Sequence, residues 1–545
     1  MNRTILFLLL INGIATAGYA YEREDFFNKE YLSTPAIDLE PLFITSRRSP
    51  AGLRDITDTI SLIDSQSISA FPARDLADTL KYVPGVDISP RQGMGRATSI
   101  SIQGSDSRQV RVMVDGIPFN NNVSEQVDPS RLPLGNIERI EVIKGAASSM
   151  WGSALGGVIN VITKDTGTTL IPQGSATVSW AEFRTQKEAI DLSGKLGPLG
   201  YYFFSDYTES GGKGPRDDTL SKKAYGKLSY DLGDAGRLIS SFGYSGGDIN
   251  SGEFPDGTWW AQPYRMRYGK IGWTRQEDEH YLSAELKHSR QDIVSKIYLT
   301  VADNEPVMKF VYKDIFYQLS LHAKTRVGDD DILIVGADFD HDTIKSDTFL
   351  SKSKNVTLQA PYANYTLKMY PFDFNAGARY DHNSEFGEEV SPSLGIIYHF
   401  KNTPGTLIRA TATRAFNAPL LIWKYNANPA FGTIPNPDIG AERAWVYELG
   451  GESQLTPKLW AKLTFYRADV TDALAQETNG MGESYMKNFE KFRRQGAELE
   501  LKYTLTDTLT VTASGAFNDI ENRITKETVR GGGKPRQSFD VSVEY

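Results

Sequence analysis

Apolar and polar positions alternate along most of this chain. In "AELELKYTL", Ala497, Leu499, Leu501, Tyr503 and Leu505 fall on one face of an extended strand, and Glu498, Glu500, Lys502 and Thr504 on the other. "TLTVTASGAF" repeats this, with Leu509, Val511, Ala513 and Phe517 opposite threonines and Ser514, and "KLWAKLTFY" follows it less strictly. Such segments recur from residue 172 to the end, joined alternately by short turns such as "LGPLG", "LGDAG" and "LTPK" and by longer polar loops. One apolar face per strand, with short turns at one end and long loops at the other, predicts an all-β transmembrane antiparallel β-barrel. A soluble β-sandwich is the competing fold; the even segment lengths and the lack of strands apolar on both faces count against it.

Residues 53–166 follow another rhythm and predict a small α+β domain. In "ARDLADTLKYVPGV", Leu76 and Leu80 lie one turn apart on a short helix that Pro84 and Gly85 end. The strand-like runs "TSISIQG", "VRVMVDG", "IERIEVIKG" and "GGVINVITK" follow, each bounded by glycine or charge. Ahead of this domain, residues 21–52 are largely polar but carry "EPLFITS", whose β-formers find no partner nearby in the sequence. Residues 1–20 place Arg3 before an apolar core, Ile5 to Ile11, and small residues up to Ala17 and Ala20, the pattern of a secretory signal peptide.

Composition narrows the function. No later apolar run approaches the ~20 residues of a spanning helix, so a helical membrane protein is excluded. The 545 residues include no cysteine, so an exported fold draws no stability from disulfides. A net charge of -9 without a basic stripe argues against nucleic-acid binding. The six histidines are dispersed, and no nucleophile triad or metal-ligand spacing stands out, which argues against an enzyme.

Three stretches carry a family resemblance: "LADTLKYVPGVDI" (76–88), "SISIQGSDSRQVRVMVDGIPFN" (99–120) and "IERIEVIKGAASSMWGSALGGVINVITK" (137–164). With "RAFNAPLL" (414–421) and "NPDIGAERAWVYELG" (436–450), they make the chain resemble the TonB-dependent outer-membrane transporters. The resemblance implies a plug domain (53–166) inside a barrel (172–545), in the outer membrane of a Gram-negative-type bacterium. It implies a monomer among outer-membrane lipid and lipopolysaccharide, with TonB and a metal chelate as partners. Glu40, Pro41, Leu42, Phe43, Ile44, Thr45 and Ser46 match the TonB box, offered to that partner as an added strand; the alternative is that Phe43 and Ile44 begin the first plug strand. The implied ligand contacts are Arg91, Gln92, Met94 and Arg96 on the first plug loop and Phe119, Asn120, Asn121 and Asn122 on the second. The barrel adds Trp259, Trp260 and Tyr264, clustered with Tyr268, Arg265 and Arg267, together with Trp423, Tyr425 and Phe431; an interfacial aromatic girdle is the competing use of these rings.

The match breaks in three places. Gln103 stands where the family usually has arginine, which is expected to leave Glu138 and Glu141 short of a cation and the plug more loosely joined to the wall. Ala146 replaces a usual proline. The barrel shows about 18 strand segments against the roughly 22 of the family, so it is expected to be shortened at its C-terminal end, although Phe539, Val541, Val543 and Tyr545 still alternate to an aromatic terminus. The functional expectation is TonB-coupled import of a scarce bulky metal chelate, a ferric siderophore first and cobalamin close behind. A shortened, non-transporting product and a passive pore or adhesin are the alternatives. No cofactor is expected beyond calcium on the loop acids Asp217, Asp218, Asp248 and Asp256, for which solvated loops are the competing reading.

Overall fold

The fold is that of a computed structural model, which describes residues 43–44, 47–70, 73–89, 98–121, 127, 129–403, 405–427, 432–506, 508–529 and 534–544. The signal peptide, most of the box segment, Arg91, Gln92, Met94, Arg96, Asn122 and Phe431 lie outside these residues.

The short strand β1 (Phe43–Ile44) pairs antiparallel with β2 (Ala51–Gly52). The segment without a sequence neighbour to pair with therefore has a partner within its own tether. Arg48, at a φ of 60°, takes the left-handed conformation that folds the chain back.

A compact domain follows. It comprises β3 (Ile60–Asp64), α1 (Ser65–Ala70), α2 (Leu76–Leu80), β4 (Val86–Ile88), β5 (Ile100–Ile102), β6 (Val110–Val114), β7 (Ile117–Pro118), β8 (Ile137–Lys144), α3 (Ser148–Trp151) and β9 (Gly157–Thr163). Five strands form one sheet in the order β3-β8-β9-β6-β7, in which only β6 and β9 run parallel, and β4 pairs with β5 separately. The Asp75 carboxylate caps α2 by accepting from the Asp78 backbone N–H. Leu76 and Leu80 are fully buried in a core with Ile102, Val112, Ile140, Val142 and Ile159.

The rest of the chain forms an 18-stranded sheet, each strand paired with the next, from Gln173–Ala181 to Gln537–Glu544. The count agrees with the segments visible in the sequence. Among the described residues, the first and last strands do not pair with each other, so the sheet has two free edges and is not closed. Along the strand Ser484–Thr506, Leu499, Tyr503 and Leu505 are exposed on the outer face, whereas Glu498 is buried against the inner domain. The inner domain packs across many of these strands, from Gly135 against Phe204 to Lys144 against Glu498.

Two glycines make that fit possible. A Cβ on Gly145 would come 2.6 Å from Oε1 of Glu448, and one on Gly85 would come 2.1 Å from Oε1 of Glu498. Both glycines have positive φ, so a side chain would be strained as well as obstructed. We expect Gly145→Val to unseat the inner domain while Gly480→Val, in a loop with open space around it, does not. Limited proteolysis of intact outer-membrane vesicles checks this; equal resistance of the two variants would contradict the fit.

Candidate functional site

Two polar regions lie between the inner domain and the wall, toward opposite ends of the strands. The first grips the tether. Lys324, beside the short turn at 328–330, donates to the Pro50 carbonyl at 3.0 Å, which places this region on the short-turn side. Arg47 donates to the Thr366 and Thr57 hydroxyls, each at 3.1 Å. Arg48 donates to Asp338 at 2.6 Å, with its guanidinium 4.6 Å from the ring centroid of Trp151 and 4.9 Å from that of Tyr362. Burial pushes the Arg48 pKa down, but the Asp338 charge more than reverses this and keeps the guanidinium ionised. Asp338 also accepts from Arg379 at 2.7 Å, and Arg379 in turn donates to Asp381 at 2.9 Å and to the Met150 carbonyl at 3.5 Å.

This chain of charges leads from the tether to the second region, a cavity of ≈ 140 Å³. Its lining includes Arg108, Arg111 and Asn121 from the inner domain and Asp314, Asp340, Asp342 and Asp381 from the wall. Asp340 and Asp342 sit near the end of the strand Asp331–Ser346, next to the loop at 347–352, so the cavity faces the long-loop side. Arg108 makes a bidentate pair with Glu442 and lies 5.2 Å from the Trp423 ring. Burial depresses the Arg111 pKa, partly offset by the Asp340 charge.

The cavity has a roof. The loop after the strand Leu407–Asn417 carries the short helix α4 (Leu421–Tyr425), and Leu420 reaches the lining. Lys424 and Tyr425 donate to Glu385, Lys354 lies 3.9 Å from the Tyr425 ring, and Phe349 bridges to Asn426. Leu421 packs with Ile344, Phe349 and Val356.

The anticipated ligand contacts are dispersed. Phe119 is buried edge-on against Tyr268 at 4.8 Å and belongs to the core. Asn120 spends its amide on β6, accepting from the Val112 N–H and donating to the Val110 carbonyl, though it and Asn121 also line the cavity. The aromatic cluster on the strand Trp259–Glu277 divides by strand parity. Trp260, Tyr264 and Tyr268 share a face with Gln262, which touches Arg131 of the inner domain, whereas Trp259, Arg265 and Arg267 point the other way. Trp259 stacks on Tyr298 at 4.0 Å beneath Arg216. Trp423 and Tyr425 are part of the roof. Asp217 and Asp256 serve local turns, accepting from Lys213 and Thr258, Asp218 accepts from Asn250 of the neighbouring strand, and Asp248 lies within that strand. Among the described residues, no group of three or more acids or histidines could hold a metal ion.

Gln103 corrects another expectation. It faces the wall, donating to Glu448 at 3.3 Å, and is not a partner of Glu138 or Glu141. Glu141 has Arg139 at 2.9 Å, and Glu138 is exposed. The carboxylates of the cavity and the Asp338 hub were missed, although "ADFDHD" places Asp338, Asp340 and Asp342 on one face at strand spacing.

The family models agree with this architecture. The "TonB-dependent Receptor Plug Domain" matches residues 52–158, and the "TonB dependent receptor-like, beta-barrel" matches residues 177–545. The chain belongs to the TonB-dependent receptors. Members of the family are transporters of the Gram-negative outer membrane and not enzymes, and this is such a protein. Among similar solved structures is the siderophore receptor PirA from Pseudomonas aeruginosa, with 21% identity and a TM-score of 0.67 over 85% of this chain and 84% of that one. PirA from Acinetobacter baumannii gives 17% and 0.70 over 88% and 83%. A mutant of the ferric enterobactin receptor PfeA from Pseudomonas aeruginosa, in complex with enterobactin, gives 19% and 0.71 over 90% and 84%. At these identities the likeness establishes the fold.

Asp338 is shared by two buried guanidiniums, so Asp338→Asn leaves both without their common counter-charge. Breaking a buried pair in this way typically costs about 3–5 kcal/mol. A spin label placed by Ile44→Cys should become more mobile in that variant; an unchanged spectrum would show that the hub does not hold the tether.

Proposed function

We propose that this receptor imports a ferric siderophore, with TonB drawing on the segment Glu40–Ser46. The observation that carries this reading is the line of buried contacts from the tether, through Arg48, Asp338, Arg379 and Asp381, to the lining of the cavity on the opposite side of the plug. A pull on one end acts on residues that shape the other. A passive pore needs an open lumen, whereas here a domain that shares a hydrophobic core with the wall residues Tyr202, Phe204, Tyr225 and Tyr268 occupies it. Two PirA proteins described as siderophore receptors, and PfeA described as a ferric enterobactin receptor, support the ligand class. Cobalamin has no comparable observation in its favour.

The cavity is smaller than the roughly 300–1,000 Å³ usual for ligand pockets, so on this reading the α4 roof moves to admit a chelate. The four cavity carboxylates against two guanidiniums favour a neutral or cationic chelate, such as a hydroxamate, over a triply negative tris-catecholate. Uptake of radioactive iron by a strain carrying only this receptor should be lost on deletion of residues 40–46. Hydroxamate chelates should also outcompete catecholates. Uptake that survives the deletion would remove TonB coupling, and growth under iron limitation that does not depend on the gene would remove siderophore import.

A further inference from the structure

The charges around Gln103, where plug meets wall, do not balance. Glu448 and Glu498 of the wall press into the Gly145 and Gly85 notches of the plug. Asp87 of β4 is buried beside them, 6% exposed. Lys144 supplies an ammonium, but it is engaged by Glu498 at 2.6 Å and lies 3.7 Å from Glu500. Gln103 offers Glu448 an amide without charge. Oδ2 of Asp87 and Oε1 of Glu498 are both buried with no hydrogen-bond partner among the described residues.

The other charged groups nearby are committed elsewhere. Lys462 donates to the Ile60 carbonyl, and its charge acts chiefly on Glu500. Lys534 pairs with Asp106, and Arg494 also faces Asp106. Asp58 adds a further carboxylate toward Glu448 and is answered by Arg47 and Arg409. Tyr466, which faces Asp87 and both glutamates, donates its hydroxyl to Asn518.

We propose that the seated plug holds a proton on Asp87, and that unseating the plug at this joint releases it. The proton turns a buried acceptor that has no partner among the described residues into a donor. Burial, reinforced by Glu498 and opposed by Lys534, pushes the Asp87 carboxyl up to about 7. A free aspartate titrates near 4, so the seated form binds more protons than the unseated form between about pH 4 and 7. Seating is therefore tightest in acid, weakens as pH rises through that window and levels off above it. The linkage makes plug movement sensitive to pH at the first plug hairpin, formed by β4 and β5.

The test uses the full chain in lipid vesicles. The plug-opening equilibrium is read from urea titrations with protease cleavage at pH 5, 6, 7 and 8. Opening should become about tenfold easier per pH unit up to pH 7 and change little beyond. Asp87→Asn, which keeps the donor and cannot ionise, should flatten that profile, and Gln103→Arg should move it to lower pH. Superimposable profiles for the native chain and Asp87→Asn would overturn the proposal. Infrared spectroscopy at pH 6 reads the proton directly. A protonated-carboxyl band that disappears on unseating and is missing from Asp87→Asn supports the proposal; no such band, or one that Asp87→Asn keeps, refutes it, because Glu448 is a second buried carboxyl at this joint.

Discussion

A plug inside a barrel must adhere to a surface that can be apolar only in part. Each wall strand turns hydrophobic positions toward lipid, so many of the alternating positions facing inward are polar, and beside an apolar patch that includes Tyr202, Phe204, Tyr225 and Tyr268 the plug meets hydroxyls, amides and charges. The two halves are therefore joined by buried ion pairs and glycine notches as well as by shared apolar clusters. Such pairs gain little net stability over apolar contacts, but breaking one leaves a stranded charge. The joint is specific in register while remaining separable along its length.

That arrangement gives the charged contacts a directional layout. Arg48 lies between two aromatic rings and ends on Asp338, and from there Arg379 and Asp381 carry the contact to the cavity lining. A second joint, around Lys144 and Glu498, anchors the other side of the plug sheet. The first is balanced in charge, two guanidiniums against two carboxylates. The second is deficient in cations, because an amide stands at position 103.

Much of the architecture was legible in advance because it rests on periodicity. Alternation of the kind seen at Ala497–Leu505 marked the wall strands, and the about 18 segments visible in the sequence agree with the 18-stranded sheet. The binding residues were less legible, because a cluster in sequence need not be a cluster in space. Trp259 and Trp260 are neighbours in the chain yet face opposite sides of one strand. Phe119, expected to meet a ligand, is buried in the core, and Asn120 bonds to β6 while also lining the cavity. Conversely, Asp314, Asp340 and Asp381 come from three separate strands, and only the curvature of the sheet around the plug brings them to one cavity.

The sequence by itself determined the plug-and-barrel grammar and the family, since local alternation, glycine placement and ordered motifs survive without knowledge of contacts. Tertiary structure alone decided which charges meet. It paired Gln103 with Glu448 and not with Glu138 or Glu141, and it gave the Phe43–Ile44 strand a partner in Ala51–Gly52. Both outcomes depend on how the chain folds back across long separations or around one left-handed residue, and no pattern of neighbours along the sequence encodes that.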